Sequence, residues 1–572
     1  MFKKNKSKKE SFMQGVLALM ISQVLIKLLG LVYKLYLTNK EGFGDSGNAI
    51  YNSGYQIYAL LLTISSIGVP NAVSKLVSEK ISVGNHKGAH RIFKIALFTF
   101  AIIGLIGAGF LFFGAGTIAR FNGIPEAELT LVALSPSIFF VAIISVLRGY
   151  FNGRASIKTT ANSQTLEQLF KTVFTIVIVE MIGMSTGLNT TLMAAGANLA
   201  TTLAIITSFI YLFTYFKIHR KEIGNEILRE TSTKTKNNDK SIIQIVKSIL
   251  FVSIPMSLSS ILSSINKNVD AATVVNGIKK FASEAEAKVQ YGILSGKVDT
   301  LGTLPLSFNI AFATALVPAI SSAKAKGDIA SGIKRISFSI LVTMLIGLPC
   351  TIGMVVFAQP ILELLFPNAP DGAFILQTCA VAIVFAALIQ TINGALQGLG
   401  KVFVPAIALG AGVVTKLILN IILTQIPPDV FIFGGAAGAA FATVVCQMIA
   451  FTISFTVLSR TVKLNLNFSK LVIKPLIATA IMAILSYTLY LILSGNLLIN
   501  IGTLTISSLS LQGIIPARLV TIIALIFAVI IYVIAILVLK IFTKEDILMI
   551  PYGGKIYTIL QKIGVYPKET NI

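Results

Sequence analysis

Apolar runs of about 20 residues, the length an α-helix needs to cross roughly 30 Å of hydrocarbon, recur along this 572-residue chain from Phe12 to a last run at Pro516–Ile541. There are about fourteen, each close to the spanning length. In lipid every backbone N–H and C=O must find its partner within the protein, so runs of this length commit the chain to helices. Composition agrees: 55% of residues are hydrophobic and 12% charged, against about 25% charged in a soluble domain. The expected fold is an all-α integral membrane protein with little chain left for a soluble domain.

A net charge of +24 raises the question of nucleic acid, and placement answers it. Basic residues gather in every second connection: the N-terminal KKNKSKK, Lys75 to Arg91, Arg154 and Lys158, Lys217 through Lys240, Lys324 to Arg335, Lys401, Arg460 to Lys474, and Lys540 onward. The alternate connections, such as 183–191 and 425–435, are short and poor in Lys and Arg. By the positive-inside rule the basic connections and both termini are cytoplasmic, and no nucleic-acid partner is expected. The exception is Asn266–Gln290, whose mixed charges read as an external amphipathic segment. The basic N-terminus runs into a span too long for a signal peptide and without a small-residue cleavage site, so the first span is expected to stay. Cys350, Cys379 and Cys446 lie in apolar runs without CxxC spacing, which reads as packing rather than disulfide or metal chemistry.

The chain is written twice. RGYFNG at Arg148–Gly153 aligns with NGALQG at Asn393–Gly398, 245 residues on, and Lys171 aligns with Lys416 at the same offset. GANLAT at Gly196–Thr201 matches GAAFAT at Gly438–Thr443, and IGVPNAVS ending at Ser74 resembles ALVPAISS ending at Ser322. An even number of helices per unit gives the copies one orientation, hence two parallel six-helix repeats. The expected organisation is an N-terminal lobe over 1–216, a cytoplasmic linker over 217–240, a C-terminal lobe over 241–460, and two added helices with a tail over 461–572. In the tail, Ile556, Ile559, Leu560 and Ile563 share one face, which fits a short interfacial helix or a loosely ordered end.

Polar stripes interrupt the leading helices. Gln23, Lys27, Gly30 and Lys34 fall on one helical face, with Lys27 about 15 Å from either end of its span at 1.5 Å per residue. A cation at that depth is rarely found without a partner or a cavity; Lys34, nearer the end, can equally well snorkel. Asn52, Gln56, Ala59, Thr63, Ser66 and Pro70 make a second stripe, and Ser253, Ser257, Ser260, Ser264 and Lys267 a third. Small and hydroxyl residues at this spacing also make ordinary helix seams. Glu167, Lys171, Glu180, Lys297, Asp299 and Lys416 lie inside spans as well. Glu167 and Lys171 stand four apart, a pair expected to neutralise itself, whereas Lys416 has no acidic residue within a turn. The balance is positive, so an anionic cargo is expected. His86, His90 and His219 all fall in cytoplasmic segments, and neither a Walker A sequence nor HExxH occurs. No enzyme activity, ATP use, metal or cofactor is expected, beyond a coupling ion of unknown identity.

RGYFNGRASIKTTANSQTLEQLFK (Arg148–Lys171), with GVPNAVSKLVSEK and YGILSGKVDTLGTLPLSF, resembles the MurJ/SpoVB/YtgP-type flippases of the multidrug/oligosaccharidyl-lipid/polysaccharide exporter superfamily. The resemblance covers nearly the whole chain. It implies fourteen helices in a V-shaped pair of lobes, the last two forming a groove for a lipid tail, in a bacterial plasma membrane. It also implies alternating access that carries a polyprenyl-diphosphate-linked sugar, such as lipid II, to the outer leaflet, by a monomer whose partners are that glycan and membrane lipids. Such families meet the diphosphate with basic residues on helices one, two and eight, here Lys27, Lys34, Lys75 and Lys297. Lys416 joins them from the reading of the residues, with Gln23, Asn52, Gln56, Arg148, Glu167, Lys171, Lys267 and Asp270 in support. Lysine stands where the best-known members favour arginine, giving point charges in place of bidentate forks. A drug or cation antiporter of the superfamily, or a non-transporting membrane component of polysaccharide assembly, are the other readings.

Overall fold

The computed structural model describes residues 25–63, 68–154, 156–230, 241–325, 327–462, 467–495, 498–501, 504–507, 516–548, 553–562 and 566. In order come α1 (residues 25–39), α2 (Gly44–Thr63), α3 (Val69–Ser82), α4 (His86–Phe121), α5 (Glu128–Gly153), α6 (Ile157–Thr186) and α7 (Thr190–Glu230). Then follow α8 (Ile242–Ile278), α9 (Glu284–Gly292), a π-helical turn (Ile293–Val298), α10 (Asp299–Ala325), α11 (Ile329–Val356), α12 (Ala358–Leu365) and α13 (Ala373–Gly398). The chain continues through α14 (Val404–Leu423), α15 (Gly435–Thr461), a second π turn (Ser469–Ile473), α16 (Lys474–Ser494), α17 (Ala517–Val538), α18 (Lys544–Leu548) and α19 (Gly553–Lys562). Between α16 and α17, β1 (Leu498–Ile501) pairs antiparallel with β2 (Leu504–Ser507).

Among the described residues, ten helices are long and apolar enough to cross a membrane: α4 to α7, α11, and α13 to α17. Four further long segments, α1, α2 with α3, α8, and α9 running through the π turn into α10, bring the described bundle to fourteen. These four carry the polar stripes or continue them. The segment 266–290 is largely helical: its first part prolongs α8 to Ile278 and its last part belongs to α9. The tail does form a helix, α19, with Ile563 outside the described residues.

Contacts divide the chain into two compact units, Met1–Thr300 with Leu409–Ala442, and Leu301–Ala408 with Thr443–Ile572. This division runs through α10, α14 and α15, whereas the sequence repeat divides at 217–240. In the first unit α5 packs against α3, α4 and α7. In the second, α11, α13, α16 and α17 enclose a core around Ile336, Leu341, Ile392, Leu396, Ala478 and Ala528, and Tyr532 Oη donates to the Leu345 carbonyl at 2.9 Å.

The repeated glycines have one job in both units. On α5, a Cβ at Gly149 would stand 2.8 Å from the Pro70 carbonyl oxygen and one at Gly153 2.8 Å from that of Ser74, both on α3. On α13, a Cβ at Gly394 would stand 2.5 Å from the Ala313 carbonyl oxygen and one at Gly398 2.9 Å from that of Val317, both on α10. Each pair is a small-xxx-small seam that lets two backbones touch. Sequence similarity sets Pro70 opposite Pro318, whereas the seams set it opposite Ala313.

Candidate functional site

The first unit gathers ionisable side chains from α1, α2, α5, α6, α8, the first π turn, α10 and α14. The π turn is where the ladder is locally rewound, a feature often found where function is built. The end of α9 and this turn approach α2 so closely that a Cβ on Gly292 would lie 1.8 Å from the Asp45 carbonyl oxygen, and one on Gly296 2.7 Å from the Asn48 side chain. Glycine at both positions permits this contact, and it seats Lys297 with no exposed side-chain surface, its Nζ donating to Asp45 Oδ2 at 2.8 Å.

A second pair joins α8 to α14. Gly277 removes the Cβ that would meet Thr424 Oγ1 at 2.0 Å. Lys416 Nζ then donates to Asp270 Oδ2 at 2.6 Å and to the Asn266 carbonyl at 3.0 Å, while Asn420 Nδ2 donates to Asp270 Oδ1 at 2.8 Å. Lys416 is thus paired across helices, against the expectation of a lone charge. Lys267 lies 3.3 Å from Asp299. Arg148 donates to Glu167 at 2.8 Å, to Ser163 at 2.9 Å and to Ser208 at 3.1 Å. Glu167 is therefore taken by α5, and the expected Glu167–Lys171 pair is not formed. The second repeat keeps the frame and loses the charge: Ser454 Oγ donates to Asn393 Oδ1 at 3.4 Å.

Lys171 is held differently. It is 5% exposed, and its ammonium lies 4.3 Å from the Tyr55 ring centroid and 5.0 Å from that of Tyr33, a cation–π clasp. Lys34 donates to Thr300 Oγ1 at 2.9 Å, and Lys27 lies on the exposed side of α1. Lys27, Lys34, Lys171 and Lys267 stand near enough for their charges to interact, Lys34 with the other three and Lys27 with Lys267. Among the described residues of this cluster, Arg148 and six lysines (27, 34, 171, 267, 297 and 416) face four carboxylates, Asp45, Asp270, Asp299 and Glu167. Once the four ion pairs are formed, Lys27, Lys34 and Lys171 are the surplus.

Other expected residues play smaller parts. Asn52 is buried and donates to the Asn48 carbonyl at 2.9 Å. The Gln56 carbonyl accepts from Asn268 at 3.0 Å, and Thr63 and Ser264 share a 2.9 Å hydrogen bond. The stripes of α2 and α8 thus form a polar seam with each other. Lys75 is exposed on α3 and makes no ion pair or hydrogen bond among the described residues. Gln23 and Ser66 lie outside the described residues. Glu180 accepts from Lys40 at 2.5 Å and from Tyr36 at 2.8 Å, away from the cluster's ion pairs. Sequence reasoning missed Asp45, Tyr33, Tyr55 and Thr300. Asp45 sits in GFGDSGN, which reads as a turn, and a tyrosine in an apolar run carries no distinguishing signal.

Residues 12–324 match the family described as polysaccharide biosynthesis protein. The chain is 28% identical to the uncharacterized membrane protein YabM of Bacillus subtilis (strain 168), over 96% of this chain and 96% of that protein. It is 24% identical to the lipid II flippase MurJ of the same organism, over 78% of this chain and 82% of the relative. A solved structure of a lipid II flippase MurJ in an inward closed conformation shares the fold, with a TM-score of 0.63 at 15% identity over 90% of this chain and 97% of that one. With more than half of its length matched, and with fourteen long helical segments among its described residues, this chain is a multi-pass membrane protein that belongs to the polysaccharide biosynthesis protein family.

Proposed function

We propose that the protein is a flippase that moves a polyprenyl-diphosphate-linked sugar, lipid II or a related wall or polysaccharide precursor, from the cytoplasmic to the outer leaflet of a bacterial plasma membrane. The observation that carries this reading is the surplus of three cations, Lys27, Lys34 and Lys171, in a cluster where every carboxylate already has a cation. Uncompensated cations inside a membrane protein are expensive and mark substrate paths. A diphosphate bridging a lipid and a sugar brings about two negative charges, one on each phosphate, as charge-assisted acceptors. Relatives named as lipid II flippases support the same class. The distribution of basic connections supports a cytoplasmic position for both termini, with the two repeats exchanging access by moving as lobes.

The antiporter reading needs a carboxylate open to a cationic drug or coupling ion, and Asp45, Asp270, Asp299 and Glu167 are each engaged by Lys or Arg. The test is reconstitution in vesicles with a labelled polyprenyl-diphosphate sugar in one leaflet. Leaflet exchange that rises with protein content is expected. Exchange no faster than in protein-free vesicles, with cationic dyes transported instead, would overturn the proposal in favour of the antiporter.

A further inference from the structure

Lys171 stands apart from the other cations of the cluster because its partners are two aromatic rings and not a carboxylate. It is 5% exposed, clasped between Tyr55 at 4.3 Å and Tyr33 at 5.0 Å, and Tyr51 stacks on Tyr55 with centroids 5.6 Å apart. A ring quadrupole attracts an ammonium but leaves its three N–H donors without strong acceptors. The positive charge of Lys34 acts on it as well, so the lysine is both held and repelled. A phosphate oxygen offers it a charge-assisted hydrogen bond, a stronger contact than the rings supply.

The geometry points to Lys171 as a stowed phosphate ligand, released from the Tyr33–Tyr55 clasp when the cargo carries a second phosphate, so that Lys171 favours diphosphate over monophosphate lipids. This rests on the flippase reading. Lys27 and Lys34 on α1 stand near enough for their charges to interact, and one phosphate group has oxygens enough for both. A monophosphate therefore leaves Lys171 in place, because drawing it out means losing a clasp worth about 2- to 30-fold in an equilibrium constant with little gained in return. A diphosphate presents a second phosphate with its own oxygens and charge beyond the first, and Lys171 leaves the rings to meet them.

The experiment uses the full chain in detergent with two probes, a polyprenyl monophosphate and a polyprenyl diphosphate of equal length. The wild type is expected to bind the diphosphate at least tenfold more tightly. Lys171→Met should reduce that ratio about tenfold or more, by weakening the diphosphate. Tyr55→Leu should raise diphosphate affinity about 2- to 30-fold, because binding no longer has to break the clasp, and should raise monophosphate affinity by no more than that. Lys171→Arg should keep the preference, since guanidinium both stacks on rings and binds phosphate. The chain contains no tryptophan, so Tyr33→Trp gives a single emission that reports the departing cation. That emission should change with diphosphate and not with monophosphate. A wild type that binds neither lipid defeats the flippase reading itself. A wild type that prefers the diphosphate, with the ratio unchanged in a folded Lys171→Met variant, overturns this inference alone.

Discussion

Lys297 and Asp45, 252 residues apart in sequence, meet at 2.8 Å with side-chain exposures of 0% and 7%. The pair ties the π turn to the first turn of α2, and two glycines let it form. Its worth lies in mutual compensation: removing one partner of a buried pair costs about 3–5 kcal/mol, whereas replacing both with apolar groups is often neutral or better. Lys297→Met should therefore lower the apparent melting temperature and the yield of folded protein, and Lys297→Met with Asp45→Leu should recover most of the loss. A double variant no better than the single would mean that the lysine acts alone.

The same contact predicts opposite outcomes for two glycines one turn either side of the paired region. Gly292→Ala places a methyl group 1.8 Å from a backbone oxygen and should cost about 1–3 kcal/mol or more, the scale of an overpacked core. Gly302 has no described atom within 4 Å of its Cβ position, so Gly302→Ala should stabilise by about 0.5–1 kcal/mol, the helix cost of glycine. Thermal melts of the two variants side by side check the contrast.

Transport should respond to the surplus cations out of proportion to stability. Lys27→Gln and Lys34→Gln relieve like-charge crowding, so folded yield should hold or rise. Flipping per folded molecule should fall at least tenfold, with Lys27→Arg retaining part. Near-normal flipping in Lys27→Gln, measured by leaflet exchange, would remove that residue from the substrate site.

Acid should loosen α9 before it unfolds the bundle. Hydrogen bonds from Lys288 and Lys279 hold the Glu284 carboxyl below its ordinary value, at the start of α9 and outside the ten apolar spans. A depressed carboxylate stabilises fully above its unfolded value of about 4.3, and that stability is lost as pH falls through the folded value. Glu284 is 49% exposed, so the effect is that of a surface pair, below about 1 kcal/mol. Amide exchange in α9 should be steady from neutral pH to about 5 and accelerate below about 4, and Glu284→Gln should flatten the profile.

Orientation can be read with thiol labelling. In a chain freed of Cys350, Cys379 and Cys446, a cysteine at Asn225 should react only from the cytoplasmic side, and one at Ser185 only from outside, both positions being exposed. Reversed labelling at Asn225 overturns the orientation drawn from the basic connections.

The spans were legible because bilayer thickness sets their length, and the repeat because RGYFNG and NGALQG hold the glycines that form the seams. The partners of the charges were not. Lys416 finds Asp270 across 146 residues, and no local pattern announces such a meeting. The i,i+4 rule paired Glu167 with Lys171 on one helix, but Arg148 reaches Glu167 from α5 with support from Ser163 and Ser208, and the tyrosines take the lysine left over. The charges of 266–290 are numerous, and two of them, Lys267 and Asp270, each find an opposite charge inside the unit, pairings that no local pattern announces.

The duplicated seams separate what the two copies inherited from what they acquired. Gly149 with Gly153 and Gly394 with Gly398 fix how close two helices lie, and neither depends on the charge at the neighbouring position, Arg148 in one copy and Asn393 in the other. A lineage can therefore rewrite the ionic lettering of one copy while its architecture stays constant. Relatives with an identical frame and a different count of surplus cations should then have diverged in cargo, and swapping position 148 alone between such relatives should alter selectivity with little change in fold.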